Sequence, residues 1–227
     1  MQTLLRILTG LAGVCLALTF GGLPTRANLI TNGSFESPVV PSGSYLNFFP
    51  LSPPPGWTVV GPEVSIVSGT YSAGCCTFPA EDGNQWLDLT GPGTNSLEGV
   101  EQAVATTAGT QYTLSFWVGN VNDPFGVFGT TSTVLLSING GPNQPFTNSV
   151  NSTTLSWQQF TTTFTASGST TTIEFLNGDP ITDNSNGLDN VVLNVSSQTP
   201  EPGTLSLLGI GMLGLLRRRF ATLTPAS

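Results

Sequence analysis

Histidine and lysine are absent from these 227 residues, and all five arginines stand near the ends, at Arg6, Arg26 and Arg217 to Arg219. The long segment between them has no cationic side chain, yet it carries twelve of the thirteen acidic residues, only Glu201 lying beyond it. Nucleic-acid binding depends on Lys and Arg neutralising phosphates and is excluded. An anionic polymer would be repelled too, unless divalent ions intervened. Without His or Lys a serine nucleophile has no base, so only carboxylates remain for acid–base work. Glycosidases set two of these at about 5–9.5 Å. Glu98 and Glu101, three apart on a strand, face opposite sides of the sheet, while Glu81 and Asp82 adjoin a Gly-Asn turn. No enzymatic activity is expected. Charged residues make up only 8% of the chain against 38% apolar ones, so the acidity does not imply disorder.

Cysteine is scarce as well. Of three, Cys15 sits in an apolar N-terminal run behind Val14, where lipidation needs a small residue, and Cys75 and Cys76 are adjacent. Neither a CxxC redox motif nor a zinc site is available. Neighbouring Cα atoms lie about 3.8 Å apart, short of the usual disulfide span of roughly 4.4–6.8 Å. A strained vicinal ring, an intermolecular bridge and two free thiols are the alternatives, and in an oxidising compartment the ring is favoured.

What the chain does have begins with its two ends. A weakly basic start, an uncharged run from Ile7 to Phe20, the breakers Gly21, Gly22 and Pro24, and Thr25-Arg26-Ala27 read as a secretory signal cut after Ala27. At the other end Pro200-Glu201-Pro202 precedes an uncharged stretch, Gly203 to Leu216, and then Arg217-Arg218-Arg219. As a helix those fourteen residues reach about 21 Å, against about 30 Å of bilayer hydrocarbon. The arginines snorkel and stay cytoplasmic, which leaves the preceding domain outside, as the signal also requires. This order closely resembles the PEP-CTERM sorting signal of Gram-negative bacteria. The resemblance implies a temporary inner-membrane anchor processed near Pro-Glu-Pro by an exosortase, export to the envelope, surface or extracellular matrix, and an association with exopolysaccharide and biofilm. The expected organisation is a signal peptide over 1–27, one domain over 28–199 and a sorting tail over 200–227.

The middle domain is strand-like throughout. Tyr112, Leu114, Phe116 and Val118 alternate with Thr113, Ser115 and Trp117; Phe160, Thr162 and Phe164 alternate with Gln159, Thr161 and Thr163. Val134 to Ile138, Ile173 with Phe175, Val191 with Leu193, Trp86 to Leu89 and Val100 to Val104 add further strands, with Gly- and Pro-containing breakers between. Ser37 to Gly56 and Asn120 to Thr131 read as long loops, which are often functional. Many alternating strands with short turns predict an all-β antiparallel sandwich.

Six segments in order carry a second resemblance: Asn28 to Glu36, Pro55-Gly56-Trp57, Asp82-Gly83-Asn84-Gln85, Gln111 to Phe116, Trp157 to Phe160 and Gly187-Leu188-Asp189-Asn190-Val191. Together they resemble the galactose-binding-like jelly rolls of carbohydrate-binding modules. The resemblance implies a sugar-binding or matrix role and a structural Ca2+, carried here by Glu36 and Asp189; apart from the resemblance, Asp179 and Asp183 on the polar loop just before Asp189 are a second, weaker candidate. Calcium favours such oxygen donors. Trp86 and Trp117 fall on the polar registers of their strands and are the candidates for stacking on sugar rings, with Asp88 and Asn120 as polar neighbours. A non-catalytic carbohydrate-binding protein of the extracellular polysaccharide is the expected function. A structural matrix or adhesion protein without a specific glycan is the alternative, and a carboxylate glycosidase a distant third.

Overall fold

A computed structural model describes residues 27–92 and 97–196. Most of the expected signal peptide and the whole sorting tail, including Pro200, Glu201, Pro202 and the three terminal arginines, lie outside the described residues. In chain order the strands are β1 (Tyr45–Phe48), β2 (Thr58–Val60), β3 (Val64–Ser68), β4 (Ser72–Ala73), β5 (Cys76–Thr77), β6 (Gln85–Asp88) and β7 (Gly99–Ala105). They continue as β8 (Gln111–Asn120), β9 (Ser132–Ile138), β10 (Gln144–Asn148), β11 (Ser156–Thr165), β12 (Thr170–Asn177) and β13 (Gly187–Val195). Every regular element among the described residues is a strand.

Two sheets face each other as a jelly roll. One has the order β1-β3-β6-β13-β8-β11 and the other β10-β9-β12-β7-β2, while β4 and β5 form a separate hairpin. The strand pairs are antiparallel, with Phe116 opposite Phe160 and Leu188 opposite both Leu87 and Val118. Period-two alternation sends Leu114, Phe116 and Val118 of β8 inward, where they meet Leu136, Ile173 and Phe175 from the other sheet, all fully buried. Phe116 packs edge-on to Phe146 and Phe175 at centroid distances of 5.1 and 5.0 Å. Truncating a core Phe of this kind costs about 3–5 kcal/mol.

Three expectations change. Ser37 to Gly56 is not wholly loop, because Tyr45–Phe48 pairs with β3 as the edge of the larger sheet. Asn28 to Glu36, the segment that opens the resemblance to jelly rolls, is a series of turns and not a strand of either sheet, held onto β13 by Leu29 N donating to Leu193 O (3.0 Å) and Val191 N donating to Gly33 O (2.9 Å). A Cβ on Gly33 would stand 2.1 Å from Val191 O, so only glycine permits this approach. Third, the larger sheet is covered on its outer face as well. Val67, Cys76, Phe78, Trp86, Val121 and Leu155 form a second apolar cluster there, roofed by the β4–β5 hairpin. In the structure Cys75 and Cys76 of that hairpin are joined to each other by a disulfide.

Candidate functional site

Strand β6 sends Leu87 into the main core and presents Trp86 and Asp88 on the outer face, where Val67 and Ser65 of β3 stand opposite them. Beyond, Gly187 of β13 pairs with Asp88, and Gly119 of β8 pairs with both Gly187 and Trp157 of β11. The two glycines leave a flat floor on which the Trp157 indole lies. A Cβ at Gly119 would come within 2.7 Å of that ring, and one at Gly187 within 2.9 Å. Trp157 thereby reaches Trp86 edge-on, centroids 5.9 Å apart. Both indole N–H groups are satisfied by the chain above, Trp86 Nε1 donating to Phe78 O (3.1 Å) and Trp157 Nε1 to Pro79 O (2.9 Å).

A cavity of about 160 Å³ opens beside these residues. Its aromatic walls are Tyr45, Tyr71, Phe78, Trp86 and Phe128, and Asp88, Ser65 and Asn184 supply polar groups. The rings brace one another: Phe78 lies 5.0 Å from Phe128 and 5.6 Å from Tyr71, which meets Tyr45 edge-on at 5.7 Å. Asp88, buried at 9% exposure, accepts three hydrogen bonds on one oxygen. Thr90 N (3.1 Å), Thr90 Oγ1 (2.8 Å) and Asn186 N (3.2 Å) all donate to Oδ1. Among the described residues no hydrogen bond reaches Oδ2. Burial pushes the carboxyl up to about 7 against the lowering effect of those bonds. With Oδ1 committed as an acceptor, the proton of the neutral acid belongs on Oδ2, and an acid carrying it is a hydrogen-bond donor.

Sequence reasoning assembled this site only in part. Trp86 and Asp88 both line the cavity, though Trp86 is a wall at 1% exposure and no open platform. Trp117 shares the outer face but sits across β13, opposite Asp189, away from the cavity. Asn120 is a correction: it ends the inward register of β8 and is fully buried. Its amide donates to Thr130 O (3.1 Å) and Val150 O (3.0 Å) and accepts from Ser132 Oγ (3.1 Å), so it straps loops together. Tyr45, Tyr71, Phe78 and Phe128 were missed because each lies in a segment without alternation. Thr90 was legible in principle, since an Asp-x-Thr step is a common side-chain-to-backbone turn.

Glu36 and Asp189 grip the two halves of one turn, residues 81–85. Glu36 Oε1 accepts from Asn84 N (2.8 Å) and Gln85 N (3.0 Å), and Asp189 Oδ2 from Glu81 N and Asp82 N (3.0 Å each). A β-bulge between Asp189 and Val192 turns the carboxylate toward this turn. Burial raises Asp189 to about 8, while its backbone bonds pull the other way. Glu81 and Asp82 bring two more carboxylates, held by Asn190 Nδ2 and Ser34 Oγ. Four acids thus gather round one turn in a domain without a cation, and their hard oxygens are of the kind calcium takes, although no three of them bring their oxygens within 4.8 Å of one another. Three-residue groups close enough to share an ion comprise, among the described residues, only Cys75, Cys76 and Asp123. Their disulfide sulfurs are not thiolates and make poor ligands.

The fold is a β-sandwich with an aromatic-lined cavity on the outer face of one sheet. Residues 26–194 match the family described as HpiC1-like, HpiC1 cyclase, and the chain belongs to that family. Residues 198–219 match the PEP-CTERM protein-sorting motif, which marks an exported, envelope-associated protein. Among solved structures, a cyclase from Fischerella sp. TAU in complex with 4-(1H-indol-3-yl)butan-2-one is similar at 21% identity and a TM-score of 0.55, over 77% of this chain and 100% of that one. A family 16 carbohydrate-binding module (20% identity, TM-score 0.39, 74% of this chain and 99% of that one) is similar too. So is a family 35 module from Clostridium thermocellum (14% identity, TM-score 0.40, 67% and 99%). No curated protein matches the chain.

Proposed function

We propose that the exported domain binds, without turning it over, one ring of a neutral ligand in the aromatic cavity above Asp88, and that the ring is a sugar of the extracellular polysaccharide. The observation that carries this is the pairing of aromatic walls with a carboxyl whose Oδ2 is left free by three donors on Oδ1. Ring faces take the C–H surface of a sugar, and a neutral acid donates to a hydroxyl or ring oxygen. The cavity, at about 160 Å³, is well below the roughly 300–1,000 Å³ of drug-sized sites, which suits a terminal ring and not an extended chain. Anionic sugars are disfavoured by a domain without Lys, Arg or His.

A second reading follows from the same carboxyl and from the family to which the chain belongs. An acid pushed up to about 7 by burial beside aromatic walls is suited to proton donation, the kind of step an acid-promoted cyclisation needs. Titrating the exported protein with neutral monosaccharides, with uronates and with 4-(1H-indol-3-yl)butan-2-one, followed by tryptophan fluorescence, separates the readings. Saturable quenching by neutral sugars supports the first, and binding of the indole ketone alone supports the second. Equal binding of uronates in chelator would sink the first.

Export is proposed to proceed by signal cleavage after Ala27, transient anchoring of the tail in the inner membrane of a Gram-negative cell and exosortase processing near Pro200-Glu201-Pro202. Retention in exopolysaccharide or biofilm would follow. Glu36 and Asp189 would hold a structural Ca2+, joining the turns after Asn28 to the closing strand.

A further inference from the structure

The hairpin over Trp86 has little pairing of its own. Strands β4 and β5 meet in only two rows, Ser72 with Thr77 and Ala73 with Cys76, and so short a ribbon is marginal unless something else fixes it. Its C-terminal flank is held from below, by Trp86 Nε1 on Phe78 O, Trp157 Nε1 on Pro79 O, and Leu155 N donating to Thr77 O (2.8 Å). The tip is closed by the bond between Cys75 and Cys76. Cys76 is 2% exposed and packs in the second apolar cluster, whereas Cys75 is exposed. Cys75 thus offers its side of the bond to solvent and Cys76 does not.

The same bond touches a second segment. Both sulfurs and a carboxylate oxygen of Asp123 lie within 4.8 Å of one another. Asp123 closes the loop after β8, its N–H donating to Gly129 O (2.7 Å) and its carbonyl accepting from Gly126 N (3.2 Å). That loop sends Val127 and Phe128 to the cavity, and the flanks of the hairpin send Tyr71 and Phe78. Phe78 meets Phe128 edge-on at 5.0 Å. The disulfide therefore stands at the seam between the two segments that wall the cavity.

We infer that the Cys75–Cys76 bond is a thiol-exchange site at which a small thiol loosens the aromatic wall of the cavity, an effect on ligand binding that rests on the function proposed above. The thiolate of the reagent attacks Cys75 Sγ and forms a mixed disulfide there, while the electron pair of the broken bond leaves on Cys76 Sγ, which takes a proton from water. A second reagent thiolate attacks the reagent's sulfur in that mixed disulfide. It releases the reagent as its own disulfide and Cys75 as a thiolate, which is protonated in turn. The protein gains two electrons and two protons, and two thiols are oxidised to one disulfide. Asp123 carries the change to the loop. A disulfide offers its carboxylate no hydrogen, whereas reduced Cys75 beside it is either an S–H donor or a like charge, and no Lys, Arg or His among the described residues offsets that charge. The fold as a whole is not at stake, because a bond between neighbouring residues closes almost no loop.

Amide hydrogen exchange on the exported protein, before and after treatment with 2-mercaptoethanol, tests this without a ligand. Reduction, read as a mass gain of two hydrogens, should speed exchange several-fold over residues 71–78 and 123–129 and leave β8 and β12 unchanged. In Asp123→Asn the gain over 71–78 should remain and that over 123–129 should shrink, since an amide is a weaker acceptor and carries no charge. Galactose and 4-(1H-indol-3-yl)butan-2-one, titrated into both forms by tryptophan fluorescence, read the cavity. Whichever binds the oxidised protein should bind the reduced one several-fold more weakly, and reoxidation should restore its affinity. If neither binds the oxidised protein, the function proposed above fails and the exchange comparison alone decides the thiol site. The inference is overturned if the thiol leaves the bond intact, if both segments exchange alike before and after, or if a bound probe holds equally in the two forms. It is equally overturned if β8 and β12 lose protection too, because the bond would then hold the fold and not the wall.

Discussion

Asp88 and Thr90 show how two residues set the chemistry of a site. Because Oδ1 is engaged by Thr90 N, Thr90 Oγ1 and Asn186 N, replacing Asp88 by Asn leaves an acceptor for all three and puts an N–H where Oδ2 was. Ligand affinity in Asp88→Asn should stay within about threefold of the parent, since one donor replaces another and a full hydrogen bond is worth only about 0.5–1.5 kcal/mol. Calorimetric titration checks this; loss of binding would mean that the carboxylate, not the acid, is the recognised form. Any proton-transfer activity should vanish in the same variant, because an amide does not titrate. Gly119 makes an independent case. A methyl there would press on the Trp157 ring at 2.7 Å, so Gly119→Ala should cost about 1–3 kcal/mol, the usual range for overpacking. Denaturant unfolding would measure it, and a neutral result would mean that Trp157 moves freely off its floor.

At the level of elements, the turn Glu81–Gln85 and the β4–β5 hairpin carry the more informative tests. Glu36→Gln keeps an oxygen for Asn84 N and Gln85 N but discards the charge. If Glu36 merely clamps a turn, the variant should melt like the parent; with calcium bound there, the rise in Tm that millimolar calcium produces should be lost, because an ion held only by the folded state stabilises by mass action. The hairpin behaves differently. A bond between adjacent cysteines closes almost no loop, and loop-closure stabilisation shrinks with loop length. Cys75→Ser/Cys76→Ser should therefore leave Tm almost unchanged while weakening ligand binding, since Tyr71 and Phe78 flank the hairpin and wall the cavity. Mass analysis without reductant should find a monomer two hydrogens lighter than the dithiol; a linked dimer would favour matrix cross-linking. How much of this was legible varies with what each strand touches. β8 and β11 declared themselves through alternation because each has one face on the core. β3, Val64–Ser68, is buried at every position, lying between the main core and the second cluster, so its composition shows no period. β1 hid in a Pro-rich stretch because four residues pairing at an edge need no pattern. The alternation of β8, carried two residues further, would have placed Asn120 inward beside Phe116 and Val118 and kept it out of the sugar site. Nothing in the local pattern revealed that a distant hairpin covers Trp86, because that burial is made by tertiary packing.

At the scale of the molecule, the described domain is acidic, with several buried carboxyls and no Lys, Arg or His among the described residues, and its stability should follow. Burial lifts Asp88 and Asp183 to about 7 and Asp179 and Asp189 to about 8, against about 3.9 for an unfolded Asp. Between these limits the folded state holds more protons than the unfolded one, so stability falls as pH rises. In chelator the protein should be most stable near pH 4, and Tm should decline from there to about pH 8, where the native groups have ionised. Surface repulsion among the remaining acids acts in the same direction, but salt screens it, so the decline that persists at high ionic strength belongs to the buried groups. Calcium held by Glu36 and Asp189, as proposed, should reverse the balance, because a cation favours the ionised form that burial opposes. Its stabilising effect should be small near pH 4 and grow toward pH 8, flattening the decline. A matrix of Tm values over pH, with calcium and with chelator at high salt, reads all of this from one instrument. A Tm that climbs from pH 4 to 8 in chelator would mean that these carboxyls are charged and compensated within the fold. An equal calcium effect at both ends of the range would mean that the ion binds elsewhere.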